Sequence, residues 1–260
     1  MRTHAAFLLV AAGAALGTPA AGQEPIADNS FLIEEAYNQE PGVVQHISGF
    51  FRSWTSHRWA YSFTQEWPLF GQANQLSYTV PVERAGGGAG GGGGGGGGTV
   101  LGDVLVNYRH QVAGLPASAA AAPRLSLLVP TGDASAGGGL TGLQANLPVS
   151  LRLGRRWVTH WNAGATARRR RAPAYHLGAS AIWLARPSFN LLVEMAWERA
   201  EEGEELLLTP GLRWAHNLRG GLQVVPGVAF PLGIGRSRGE QGLFLYLSFE
   251  HPFQKSGGGG

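Results

Sequence analysis

Apolar and polar residues alternate along most of the chain after residue 42. In RWAYSFTQEW, Trp59, Tyr61, Phe63 and Trp67 share one parity, and Ala60, Ser62, Thr64 and Glu66 share the other. In NQLSYTVPV, Leu76, Tyr78, Val80 and Val82 oppose Gln75, Ser77 and Thr79. The pattern returns in GDVLVNYRHQ, LQANLPVSLRL and LLVEMAWE. It returns once more in QGLFLYLSFEHPF, where Leu243, Leu245, Leu247, Phe249 and Phe253 form a row that only His251 interrupts. A period of two is the strand signal. It predicts twelve strands, at about 43–53, 58–68, 74–84, 99–112, 122–131, 141–153, 157–168, 174–185, 189–199, 205–215, 222–233 and 242–253.

Alternation does not say which face meets solvent. A soluble sandwich uses strands of roughly five or six residues, whereas a tilted strand crossing hydrocarbon needs about 9–11. These candidates match the longer figure. Tryptophans fall near strand ends, at Trp59, Trp67, Trp157, Trp197 and Trp214, where a membrane barrel carries its aromatic girdles. Charged residues make up only 14% of the chain, against about 25% in soluble proteins. The links also alternate in length and charge, apart from the short TSH and the long GLPASAAA. That fits short turns at one end and longer loops at the other, and an even strand count puts both termini at the short-turn end. The predicted fold is all-β, an antiparallel transmembrane β-barrel of the outer-membrane type with about twelve strands.

The N-terminus supports that address. Arg2 and His4 precede the apolar run Ala5 to Leu16, and small residues follow, with cleavage expected after Ala20 or Gly22. The run is too short to span a bilayer as a helix. The predicted organisation is a signal peptide at 1–22, an irregular arm at 23–42, a barrel at 43–253 with a polyglycine external loop at 85–98, and a flexible tail at 254–260. The chain has no cysteine and a formal charge of +3, too mild to suggest nucleic acid. No cofactor is expected. The expected partners are outer-membrane lipid and lipopolysaccharide, the barrel-assembly machinery acting through the C-terminal strand, and a small-molecule solute.

The polar parity defines the candidate lumen. Early strands contribute Arg58, Glu66, Asp103, Asn107, Arg109 and Gln111. Later ones add Arg124, Gln144, Asn146, Arg152, His160 and Asn162, then His176, Glu194, Arg213 and Glu250. Charges of both signs must pair or meet water. Such a lumen can hold water and pass solutes, or it can close as a salt-bridged filling. His160, Ser180 and Glu194 supply the residue types of a hydrolase triad, but no G-x-S-x-G or H-E-x-x-H spacing accompanies them. The spacings of His46, His57, His110, His160 and His176 match no metal-ligand pattern. The glycine tract lacks the Gly-Lys-Ser/Thr of a phosphate loop. Arg168 to Arg171 and Glu198 to Glu205 fall at two external tips, to grip lipopolysaccharide or to pair across the rim.

The stretch SFLIEEAYNQEPGVVQHI, with LGDVLVNYRHQ and LSLLVPTGD after the glycine tract, resembles the MetA-pathway of phenol degradation family of bacterial outer-membrane proteins. The likeness covers most of the chain after residue 22. It implies an outer-membrane β-barrel and uptake of small compounds, aromatic or hydrophobic ones included, and it carries over no catalytic residue. By this resemblance Glu34, Glu35, Tyr37, Asn38 and Gln39 belong to the signature segment. Their place before the first strand suits a plug in the barrel mouth, or a strap beneath it. The polyglycine insertion departs from the family pattern. The chain is thus expected to be a passive channel and not an enzyme. A structural or adhesive barrel with a filled lumen is the first alternative, and a membrane-embedded hydrolase the second.

Overall fold

The alternating segments pair as antiparallel strands in the computed structural model, which describes residues 29–84, 98–112, 118–133 and 139–253. The predicted signal peptide, nearly all of the polyglycine loop and the C-terminal tail lie outside the described residues. The strands are β1 (Val43–Ser53), β2 (Trp59–Pro68), β3 (Asn74–Arg84), β4 (Val100–Leu101), β5 (Val104–His110), β6 (Ala119–Ala121), β7 (Arg124–Val129) and β8 (Gly142–Leu153). They continue as β9 (Trp157–Arg168), β10 (Ala174–Arg186), β11 (Phe189–Ala200), β12 (Gly203–Trp214), β13 (His216–Asn217), β14 (Gln223–Ala229), β15 (Leu232–Gly233) and β16 (Gly242–Pro252).

Neighbours in sequence are neighbours in the sheet. The sheet closes because β16 pairs with β1 from Val43↔Pro252 to Ser53↔Gly242, and with β14 on its other side. β14 in turn meets β12. The result is a closed barrel of twelve staves, since β4–β5, β6–β7, β12–β13 and β14–β15 each act as one.

Prolines account for the breaks in β4–β5, β6–β7 and β14–β15. Pro123 separates β6 from β7 and Pro231 separates β14 from β15, each lacking the N–H that a continuous ladder requires. The break between β4 and β5 lies opposite Pro81, whose carbonyl accepts the Gly102 N–H at 2.9 Å.

Burial is inverted relative to a soluble domain. On the outward parity Leu125, Leu143, Leu177, Met195 and Leu245 are exposed, while inward Ser126, Ser150, His160, Thr209 and Ser248 are fully buried. A water-facing apolar band of this extent is what soluble proteins avoid. Against hydrocarbon it is favourable, and closure leaves no unpaired strand edge. Trp157 stacks on Trp183 near one end of the band, with ring centroids 6.3 Å apart.

The end holding Val43 and Pro252 is called the terminal end here, and the opposite one the loop end. Phe253 lies just past β16, yet its N–H still reaches the Gly42 carbonyl at 2.8 Å. Two features depart from the sequence expectation. The link AEEGEE is a tight turn at 201–202, because β11 and β12 both extend into it. The inner wall is not uniformly polar, since Val225, Ala229, Phe244 and Tyr246 form a buried apolar cluster against Phe31, Ile47 and Phe51.

Leu245 sits near the middle of β16 on the outward row. Leu245→Arg should destabilise the folded barrel in a bilayer by about 2–4 kcal/mol, read by urea unfolding in vesicles. Leu245→Ile should leave the unfolding midpoint nearly unchanged.

Candidate functional site

Residues 29–41 run inside the barrel rather than beneath it. The arm passes the wall strands in descending order, and inward side chains bond its backbone as they would bond a ligand. Asn29 gives its carbonyl to Arg213 of β12. Glu194 of β11 accepts three successive amides, from Phe31, Leu32 and Ile33, at 2.9, 3.0 and 3.2 Å. The Glu34 N–H goes to Asn162 of β9 and the Ala36 N–H to Ser150 of β8. The Asn38 N–H goes to Gln111, just past β5, and the Gln39 N–H to Gln75 of β3. A segment with no partner strand thus has its backbone groups satisfied by side chains, as burial requires.

Arg109 of β5 is the main clamp. A guanidinium carries five N–H donors, and all five are engaged. Nε donates to Asn38 Oδ1 at 2.7 Å. Nη1 donates to Glu34 Oε1 and the Glu35 carbonyl, both at 3.0 Å. Nη2 donates to the Tyr37 carbonyl at 2.8 Å and to Gln75 Oε1 at 3.1 Å. Glu34 is held equally firmly, its Oε2 accepting from Arg124 at 3.1 Å and Asn146 at 2.8 Å. Burial pushes the Glu34 carboxyl up, but Arg124, Arg109 and the Asn146 amide outweigh it and hold it below the ordinary range.

Apolar contacts set the arm's register. The Phe31 ring lies 5.6 Å from that of Phe244 and 5.3 Å from that of Tyr246. It fits because the wall beside it carries glycine. A Cβ on Gly211 would stand 2.7 Å from the ring, and one on Gly227 2.6 Å. Ile33 packs in the same way over Gly178. Farther along, Ala36 and Tyr37 pack on Ala120 and Ala122.

On the loop side of the arm lies a cavity of about 990 Å³, with arm residues 29–35 among its lining. It rises to the exposed Glu83, Arg84, Glu198 and Glu202. One wall is apolar, from Ile47, Phe51, Phe244 and Tyr246, and the facing wall is polar, from Ser77, Asn107, Gln144 and Asn146. Seven carboxylates line it (Glu34, Glu35, Glu66, Glu83, Glu198, Glu202 and Glu205) against four guanidiniums (Arg58, Arg84, Arg109 and Arg124). Glu66 Oε2 and Asn107 Oδ1 are buried without a protein donor.

Most of the sequence-predicted lumen residues meet the arm or this cavity. Arg58, Glu66, Asn107, Arg109, Arg124, Gln144, Asn146, Asn162 and His176 line the cavity, while Gln111, Glu194 and Arg213 hold the arm. Asp103 is buried near the loop end, accepting from the amides of Gly132 and Gly139 and pairing with Arg168. Glu250 accepts from Gln45 near the terminal end. Arg152 is a correction. It has the inward parity, but it lies close to the terminal end of β8 and is exposed to solvent, where hydration of a guanidinium is cheap and no lumen remains to line. Of the expected arm residues, Glu34, Asn38 and Gln39 engage the wall through side chains, whereas Glu35 and Tyr37 give Arg109 their carbonyls.

The paper triad of His160, Ser180 and Glu194 does not assemble. The His160 ring meets Ser150 at 2.6 Å. Ser180 accepts from the Ser30 hydroxyl and from the His160 backbone, and Glu194 is occupied by arm amides. Sequence reasoning missed Phe31, Phe244, Tyr246 and the facing glycines. The signal was the short apolar run Phe31–Ile33 in an otherwise polar arm. The two external tips are neighbours, with Arg171 bonded to Glu202 at 2.9 Å, and Arg58, just before β2, pairs with Glu205 of the acidic tip. Exposed pairs of this kind contribute little.

No protein-family model matches the chain, and no curated protein matches its sequence. Solved structures do match its fold. The COG4313 outer membrane channel from Pseudomonas putida F1 superposes with a TM-score of 0.59 at 12% identity, over 83% of this chain and 97% of that one. The NanC porin gives 0.53 at 9% identity, over 82% and 100%. The KdgM porin gives 0.50 at 9% identity, over 81% and 99%. The fold is therefore a closed twelve-stranded antiparallel barrel of the outer-membrane type.

Replacing the clamp should free the arm. Arg109→Leu leaves Glu34 Oε1, Asn38 Oδ1 and two arm carbonyls buried without this donor, a loss of about 3 kcal/mol or more. Amide hydrogen exchange at residues 31–39 should accelerate about a hundredfold, with exchange in β9–β11 unchanged. Acid should act on the same contact. The folded Glu34 carboxyl is held below its ordinary value of 4.5, so its contribution is complete above that pH and fades as the pH falls below it. Exchange of the amides at residues 34–39, which lie away from Glu194, should rise in the acid part of the range from pH 7 to 3, and Glu34→Gln should weaken that dependence.

Proposed function

We propose that this barrel is an outer-membrane channel whose pathway is the lumen and whose constriction is the arm, passing small solutes down their gradients. The observation that carries this reading is the cavity of about 990 Å³, which reaches the exposed loop-end rim and has arm residues in its inner lining. The arm is bound by side-chain hydrogen bonds rather than by a strand ladder, so it can leave without breaking the barrel. One matching structure is titled an outer membrane channel and two are titled porins. No energy source is visible in the sequence.

The same reading places the chain in the outer membrane after removal of residues 1–22. The β16 strand and Phe253 then address the assembly machinery, and the loop-end arginines meet lipopolysaccharide. The apolar wall of Ile47, Phe51, Phe244 and Tyr246 suits solutes with an apolar or aromatic part, in keeping with the resemblance to the phenol-degradation family. Nothing in this reading asks for an enzyme. The dense bonding of the arm also favours a second reading, a barrel permanently filled and purely structural.

Planar-bilayer recording separates the two. The full mature chain should give small, intermittent currents, and deletion of residues 23–41 should give larger, steady ones. Absence of current from both proteins, each inserted and folded, would overturn the channel and leave the filled barrel.

A further inference from the structure

The cavity above the arm holds two buried acceptors without a protein donor, while the guanidiniums around them are paired with carboxylates. Arg109 has no hydrogen left to offer, since all five are engaged by the arm and Gln75. Arg124 directs its two terminal nitrogens to Glu34 and Gln144. Among the described residues, Arg58 Nε and Arg124 Nε line the cavity without a hydrogen-bond partner, but both belong to guanidiniums already paired with carboxylates, Glu205 and Glu34. Glu66 is 8% exposed and Asn107 2% exposed, both line the cavity, and Glu66 Oε2 and Asn107 Oδ1 have no protein donor. They share one row of the wall, through the pairings Glu66↔Ser77 and Ser77↔Asn107. Buried acceptors of this kind require a donor.

Charge points the same way. Carboxylates outnumber guanidiniums in the lining by seven to four, and a low-dielectric cleft of one net sign concentrates the opposite ion. The apolar wall begins close to Glu66. Thr64, two residues toward the loop end, pairs with Ile47, a rise of about 7 Å. Farther up the same wall come Tyr246, opposite Gly49, and Phe244, opposite Phe51. The Tyr246 ring already carries a cation, the Arg213 guanidinium 4.9 Å from its centroid, an arrangement aromatic faces favour.

We infer that this cavity is a binding site for organic cations: a primary ammonium donates to Glu66 Oε2 and Asn107 Oδ1, and its apolar body lies along the Ile47, Tyr246 and Phe244 wall. The inference deepens the channel reading by naming a solute class for the same lumen, but the site itself needs only a cavity open at the loop end.

The test is equilibrium binding to the full mature chain in neutral detergent, by titration calorimetry. It uses three probes of matched size, 2-phenylethylammonium, 2-phenylethanol and phenylacetate. The ammonium should bind at least about tenfold more tightly than phenylacetate, with the alcohol between them, because a charge-assisted bond to a carboxylate is about twice as strong as a neutral one. Glu66→Gln should abolish the preference for the ammonium over the alcohol. Phenylacetate binding as well as the ammonium, no binding of any probe, or a preference that survives in Glu66→Gln would each overturn the site. The comparison among probes on the unaltered protein stands even if the variant fails to fold. Binding without bilayer current would overturn the channel and leave the site, whereas current with a preference for phenylacetate would do the reverse.

Discussion

The governing constraint is that a chain crossing hydrocarbon must pair every backbone group within the protein. A sheet satisfies it only by closing, and here closure rests on the ladder between β1 and β16, which runs the full length of both strands. Once the ring is shut, parity does the rest. Each strand sends one row to lipid and one to the axis, so polar residues that would lie on the surface of a soluble protein are concentrated inside. That interior cannot stay unpaired. Its charges are met partly by one another, as with Asp103 and Arg168, and largely by the arm.

The arm and the wall are built for each other in two chemically distinct halves. Polar side chains from β5, β8, β9 and β11 bond the arm's backbone, a mode that tolerates many sequences. Phe31 and Ile33 instead fit notches left by Gly178, Gly211 and Gly227, a mode that tolerates few. The first supplies most of the hydrogen bonding and the second fixes the register. The apolar patch that receives Phe31 continues into the wall of the cavity above, so one strip of barrel serves both the arm and whatever enters from the loop end.

Much of the architecture was legible in the chain. Strand number, closure, the lipid-facing rows and the polar lining follow from a period of two, and β1, β3 and β9 have the bounds that the pattern implies. The arm's relation to the lumen was open, because its residues have no periodicity and bond mostly to partners more than seventy positions away. The inward aromatics were hidden for another reason. Phe244 and Tyr246 sit between Leu243, Leu245 and Leu247, and in a run apolar at every position the inner row cannot be told from the outer. Arg152 misled because parity identifies a face but not a height, and near a strand end the inward face has already met water.

Gly42, with φ at 82°, turns the chain from the arm into β1, and its carbonyl also receives the Phe253 amide. The first strand, the last strand and the lumen segment therefore share one joint. A pull on the N-terminal side of the chain would load the Arg109 and Glu194 contacts in shear before any tension reached that joint. Traction could thus empty the bore while the hoop around it stayed whole.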